Sequence, residues 1–230
     1  IGVNSGGGSG GSILVTTGTL SGSGAFHANG GGRGSNSGGG GGGGRVAVYY
    51  SDASGFANIA NSTASGGSGT RNGAAGTVGF IDQDVSAGDL HVYTTYASNR
   101  NHPLSFGSVT IHSGATLLMS EAPSLVANSL TVESGGLITA DGQGFKGSQN
   151  QSGAGPGGGG RHNTNGGGGG YGGRGGNGSS GVGGVTYGSA IQPTESGSAG
   201  GTDANTGSTS IGGAGGGAIQ LDVAGTLTLN

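Results

Sequence analysis

The chain has no cysteine and no tryptophan, one methionine, four prolines, and only seven lysines and arginines against ten carboxylates. Without cysteine there are no disulfides and no thiolate metal centres. Proline is too scarce, and glycine too irregularly spaced, for a collagen helix. No apolar run approaches the roughly 18 residues of a membrane-spanning helix. Charged residues are 7% of the chain, far fewer than keep a typical disordered polar chain in solution. The shortage of cations also bears on "GGGGGYGGRGG" (166–176), which looks like an RNA-binding tract. Such tracts neutralise phosphates with many basic groups. Beyond Lys146, this glycine-rich region holds only Arg161 and Arg174, so no nucleic-acid partner is expected.

What the chain has in abundance is glycine, 65 of 230 residues. Between the glycines, apolar residues alternate. Ile13 and Val15, Val46 and Val48, Val78 and Phe80, Leu90 and Val92, Val109 and Ile111, Leu130 and Val132, and Leu221 and Val223 all sit at a spacing of two. That period, with β-branched residues and Gly or Ser-Gly punctuation, is a strand signal. No window carries a helical period, so the fold is expected to be all-β. From Val109 to Leu130 a strand–bend–strand template recurs after about 21 residues, the turn length of a parallel β-solenoid. A β-sandwich is the alternative, although its hairpins favour two-residue Asn-Gly or Asp-Gly turns. Residues 1–230 are expected to form one such unit.

A second repeat frames the glycine. "IGVNSGG", "FHANGGG" and "ITADGQG" each place Asn or Asp after an apolar pair and before a glycine run. The runs close at "GGSILV", "GGRVAV" and "GGAIQL". Residues 30–44 and 142–217 are thus expected to be excursions inserted between core strands. Asn or Asp before Gly tolerates the backbone that turns a chain sharply out of a strand. Anchored side by side, bare glycine strands could pack as polyglycine-II-like rods; otherwise the excursions are mobile loops. Stacked in adjacent turns, Asn4, Asn29 and Asp141 would form a side-chain ladder. The terminal "GTLTLN" stops where such a signature would begin, and "IGVNSGGG" supplies one. The chain is therefore expected to stack on itself, as tandem repeats or as a head-to-tail polymer.

Chemistry-bearing patterns are few. There is no HExxH, no Gly-x-Ser-x-Gly elbow in a strand–helix context, and no GK[ST] after a glycine loop. Asp82 and Asp84, which alternation places on the same strand face, form with Asp89 a candidate site for calcium or, as a further alternative, a carboxylate pair acting on polysaccharide. Catalytic residues and cofactors are expected to be none. His91 and Tyr93 alternate with Leu90 and Val92, so they should face outward. With Tyr49, Tyr50, Tyr96 and His112 they would form an aromatic patch for glycans, a cell surface or a neighbouring copy.

"GGGSGGSILVTTGTLSGSGAFHANGG", with the poly-glycine run and "RVAVYY" that follow, resembles blocks of very large glycine-rich extracellular proteins of bacteria. The likeness covers Gly6 to Tyr50 well and Gly215 to Asn230 loosely. It implies an adhesin-like surface or matrix component with no catalytic residues to carry over. The expected function is a structural building block of an extracellular filament, sheath or matrix. An adhesive binding module is the alternative, and a polysaccharide-acting enzyme the third.

Overall fold

The computed structural model describes residues 5–34, 37–98, 104–120, 124–203 and 209–230. Twelve strands run in chain order: β1 (Ser12–Thr16), β2 (Thr19–Gly22), β3 (Arg45–Tyr50), β4 (Asp52–Phe56), β5 (Thr77–Asp82), β6 (Asp89–Val92), β7 (Thr95–Ala97), β8 (Leu104–Ile111), β9 (Thr116–Leu118), β10 (Ser124–Val132), β11 (Leu137–Thr139) and β12 (Gln220–Leu229). The only helical element among the described residues is a 3-10 turn at Ile59–Asn61. The fold is all-β, as the alternation predicts.

Seven strands form one sheet in the order β1-β3-β5-β6-β8-β10-β12, while β11-β9-β7 and β2-β4 form two smaller ones. Pairing is parallel throughout except between β5 and β6. In the later part of the chain, register follows the sequence repeat. Val109 lies beside Leu130, Ile111 beside Val132, and Leu117 beside Ile138. The bends between paired strands fall at Gly114 (φ 75°) and Gly135 (φ 81°). Both are backbone conformations that side chains resist, and the Gly114 N–H donates to the Gly135 carbonyl at 3.2 Å.

The large sheet buries residues on both faces. Val46, Val48, Val78 and Phe80 point to one side, where Leu20, Ala28 and Ala64 complete a cluster covered by Phe26 and Phe56. The alternate residue Ile81 points to the other side. It joins Leu90, Val92, Val109, Ile111, Leu117, Met119, Leu125, Leu130 and Val132 in a second cluster. The switch of sides falls at the β5–β6 hairpin, where Ile81 pairs with Leu90 and Phe80 with His91. Alternation along β5 therefore serves both cores. Burial of this kind contributes roughly 1.5–3 kcal/mol for each large side chain.

The described residues of both excursions are tied into the fold by backbone hydrogen bonds. Run 38–44 is held by backbone hydrogen bonds on several sides at once. Gly7 and Gly10 donate to the carbonyls of Gly39 and Gly42, at 2.9 and 2.8 Å. Gly40 and Gly43 donate to Arg71 and Ala74, and Gly41 and Gly44 to Gly31 and Ala28. Each neighbour is thus addressed at a spacing of three residues. The longer excursion is built likewise: Gly160 donates to Val182, Gly167 to Gly160, Gly201 to Gly167, and Gly200 to Gly213. These runs approach so closely that side chains have no room. A Cβ on Gly41 would lie 2.0 Å from the Gly8 carbonyl oxygen, and one on Gly43 1.8 Å from that of Ala64.

Candidate functional site

The most organised group of polar side chains lies at the ends of β6, β8 and β10. His112 and Glu133 follow β8 and β10 at equivalent positions, Tyr93 is their counterpart after β6, and His91, opposite Thr110, sits two residues earlier on the same face as Tyr93. His91 Nδ1 and His112 Nε2 are 3.2 Å apart, so one carries the shared proton and the other accepts it. His112 Nδ1 lies 3.1 Å from Glu133 Oε1, and Glu133 Oε2 accepts the Ser113 N–H at 3.1 Å. The rings also stack: Tyr93 on His112 at 3.9 Å and 9°, and His91 on His112 at 5.4 Å. Tyr93 then meets Phe80 edge-on at 6.1 Å, tying the stack to the rim of the first core.

This environment sets the ionisation. Burial, and then the neighbouring His112, hold His91 below the usual histidine range against the opposing pull of Asp89, Asp82 and Glu133. Burial lifts the Tyr93 phenol, with Glu133 adding to it. The Tyr50 phenol is pushed up to about 12 by burial, then by Asp82, Tyr93 and Asp89.

The aromatic patch expected from the sequence is not one surface. Tyr50 is buried in the first core, the reverse of its expected place, because β3 turns Val46, Val48 and Tyr50 the same way. Tyr49, on the opposite face, packs against the second core. Tyr96 also packs there, over bare backbone at Gly79, where a Cβ would meet its ring at 2.7 Å. Only His91, Tyr93 and His112 come together, and they are half-buried in contact with each other.

The carboxylate candidates do not converge either. The β5–β6 hairpin sets Asp82 opposite Asp89, but β5 ends at Asp82, so Asp84 belongs to the turn and not to the same strand face. Asp82 Oδ1 accepts the Asp84 N–H at 2.9 Å, and Asp89 Oδ1 accepts the Ser108 N–H at 2.7 Å. Among the described residues no group of three His, Cys, Asp or Glu is placed to hold a metal ion.

The ladder of Asn4, Asn29 and Asp141 is not formed as drawn. Asn4 lies outside the described residues. Asn29 Oδ1 accepts from Thr63 Oγ1 at 2.9 Å and from the Ser65 N–H at 2.7 Å, so its neighbouring turn offers Thr and Ser. Asp141 is capped locally, its N–H donating to Thr139 Oγ1 at 3.1 Å. The ladder that does exist is His91–His112–Glu133. Part of its signal was in the sequence, since His112 and Glu133 share the 21-residue register of Val109 and Leu130, but they differ in type, and His91 joins across a 19-residue register.

The two ends of the large sheet are the remaining feature. β1 and β12 have one strand neighbour each. On β12, Leu227 and Leu229 are 45% and 68% exposed, although they continue the rows of Leu130 and Val132, which are buried. Among the described residues no helix is long and apolar enough to cross a membrane. Comparison of the chain with protein-family models, with curated proteins and with solved structures finds no match.

Proposed function

We propose that the protein is a structural building block of an extracellular filament, sheath or matrix, in which copies of a parallel β-solenoid add end to end. The observation that carries this reading is the pair of open sheet ends. Buried rows run along the stacking direction through Val109, Leu130 and Leu227 and stop at β12 with their last members uncovered. An uncovered strand edge with apolar side chains is a template for another strand. The solenoid reading rests on the 21-residue register of β8 on β10 and of β9 on β11; the mostly parallel pairing weighs against a hairpin sandwich.

The glycine excursions suit the same role as polyglycine-II-like bundles. Hydrogen bonds to each neighbour at three-residue intervals match a threefold extended helix. Such a bundle has few charges for salt or acid to act on. The likeness of Gly6–Tyr50 to blocks of large glycine-rich extracellular proteins of bacteria supports a place at the cell surface. The protein's main partner is then itself.

Electron microscopy of the purified protein tests this. With about 4.8 Å per strand, a seven-stranded sheet should give filaments with an axial rise of roughly 34 Å per copy. Monodisperse particles at every concentration would overturn the reading.

A second reading, display of the long excursion to glycans, is favoured by Tyr171 and Tyr187. Their rings meet edge-on at 5.0 Å beside a groove of about 490 Å³. A glycan array with the Tyr171→Ala variant as control tests it, and binding that survives the substitution would remove that groove from consideration.

A further inference from the structure

The geometry points to a filament in which successive copies alternate by a half-turn about its axis, with β12 of one copy pairing in parallel with β1 of the next. This inference rests on the end-to-end reading and adds the orientation of the partner.

Strand direction gives the first constraint. β1, β3 and β5 run one way; the antiparallel β5–β6 pair reverses the chain, and β6, β8, β10 and β12 run the other way. The two end strands are therefore antiparallel to each other within one copy. Burial gives the second. Ile13 and Val15 of β1 pack into the cluster of Val46 and Val48, on one face of the sheet. Leu221 and Val223 of β12 pack into the cluster of Leu125 and Ala127, on the other.

Consider a copy that is only shifted along the axis. Its β1 would meet β12 antiparallel, and the row of Leu221 and Val223 would run into Ser12, Leu14 and Thr16. That contact would cover Leu14, which is 74% exposed. It would also set the carboxylate of Asp222, which lies on the opposite face from Leu221 and Val223, in line with Ile13 and Val15. Placing a carboxylate in an apolar row without a partner is costly. A half-turn about the axis reverses strand direction and exchanges the two faces in one operation. β1 then runs parallel to β12, and Ile13 and Val15 continue the row of Leu221 and Val223. Asp222 stays on the outer face beside Leu14 and Thr16.

The flanking glycine follows the same operation. A glycine run leads into each end strand, 5–11 into β1 and 212–217 into β12. Parallel strands place those runs side by side, just as 5–11 lies beside 38–44 within one copy. Gly213 and Gly216 have nothing within 4 Å of a would-be Cβ, so that side of the run has room for a neighbour.

The absence of cysteine makes the orientation measurable by disulfide trapping. Asp222 and Leu14 are exposed and Ile13 and Val15 lie on the uncovered edge strand, so Asp222→Cys, Leu14→Cys, Ile13→Cys and Val15→Cys should each fold. Mixed filaments of Asp222→Cys with Leu14→Cys, oxidised after assembly, should cross-link, whereas Asp222→Cys with Ile13→Cys or Val15→Cys should not. With Ile13 beside Leu221 and Val15 beside Val223, Asp222 lies directly opposite Leu14 on the same face, about 4.8 Å away and within the roughly 7 Å between Cα atoms that a disulfide bridges, while Ile13 and Val15 point to the other face. Cross-linking only with Ile13→Cys or Val15→Cys would show shifted copies without the half-turn and overturn the inference. Filaments in which no pair cross-links would overturn it too, by placing the contact elsewhere. If no filaments form at all, it is the end-to-end reading itself that has failed.

Discussion

In the strand regions the enclosed groups are side chains: Leu117, Leu125 and Leu130 have no exposed surface. In the glycine runs the enclosed groups are peptide units, and order depends on side chains being absent. The first kind of packing is driven by apolar surface leaving water. The second gains little from that term and must offset the ordering entropy of glycine, the largest of any residue. It does so through hydrogen bonds to several neighbours at once. Each contributes about 0.5–1.5 kcal/mol net, and Cα–H···O contacts add to them. A single run has no such neighbours. Run 38–44 has them because it leads straight into β3, between the runs that lead into β1 and β5.

The comparison predicts that tolerance to substitution is inverted between the two regions. In a strand core, removing atoms does the damage; in a glycine run, adding one methyl does. The largest effect should come from Gly41→Ala. Its Cβ would sit 2.0 Å from the Gly8 carbonyl oxygen, which is backbone and has no rotamer to change. Separating the runs would break the bonds of Gly41 to Gly31 and of Gly67 to Gly41. The expected loss is at or above the ~4–5 kcal/mol that marks exceptional substitutions, read by chemical denaturation. A loss below about 1 kcal/mol would show that the runs slide apart easily and that the packing is not close.

Next in size is Leu117→Ala. Leu117 lies between Tyr96 and Ile138 in the stacked rows of β7, β9 and β11 and is wholly buried. Its truncation leaves a cavity and should cost about 2–5 kcal/mol. If Leu117→Ala proved more damaging than Gly41→Ala, side-chain burial would be the dominant source of order even in the glycine-rich half of the molecule.

The His91–His112–Glu133 ladder separates the two kinds of packing by pH. In the folded chain His91 is held below the usual range by burial and by His112, against Asp82, Asp89 and Glu133. Below about pH 6.5 the unfolded chain therefore binds a proton that the folded chain refuses. Stability present above that pH is lost as pH falls toward the lowered folded value. Asp52, held low by the hydroxyl and amide of Ser54, acts in the same direction but only near pH 4 and below. Melting temperature should thus drop between pH 7 and pH 5, and His91→Gln should flatten that drop. The glycine runs contain few titrating groups, so amide exchange there should not follow the same curve. An unchanged pH profile in His91→Gln would remove the ladder from the account.

Some of this was legible in the sequence and some was not. The alternation of Val109 and Ile111 and its return at Leu130 and Val132 gave strands, spacing and register together, because a period of two and a repeat of 21 are both visible in one chain. The entry and exit of the glycine excursions were equally plain. What failed was the assignment of faces. Tyr50 follows Tyr49 in a strand with buried rows on both sides, and alternation cannot show that a sheet is covered twice. The cause lies in the β5–β6 reversal, where the turn passes through Ala87 and Gly88 at φ 72° and 67°. Its sequence, "QDVSAG", lacks the Asn-Gly or Asp-Gly pair that announces a hairpin. The polar ladder was missed for a different reason. A search for like residues finds Asn and Asp, whereas the structure stacks His on His and closes with Glu.

The sharpest form of the comparison lies one residue from its largest prediction. Gly42 adjoins Gly41 in the same run, yet its would-be Cβ meets nothing closer than the Ala74 carbonyl oxygen at 4.0 Å. Its φ is not in the left-handed region. An alanine there adds no clash and removes freedom from the unfolded chain, so Gly42→Ala should stabilise by about 0.4–1 kcal/mol. The two variants share chain position, solvent and length of run; they differ only in which way the third-residue rotation points the new methyl. If Gly42→Ala destabilised as strongly as Gly41→Ala, the cost would lie in changing any glycine of the run, and neighbour contact would not be its cause. Opposite signs at adjacent residues would mean that close packing of backbones, renewed every three residues, is what requires the glycine.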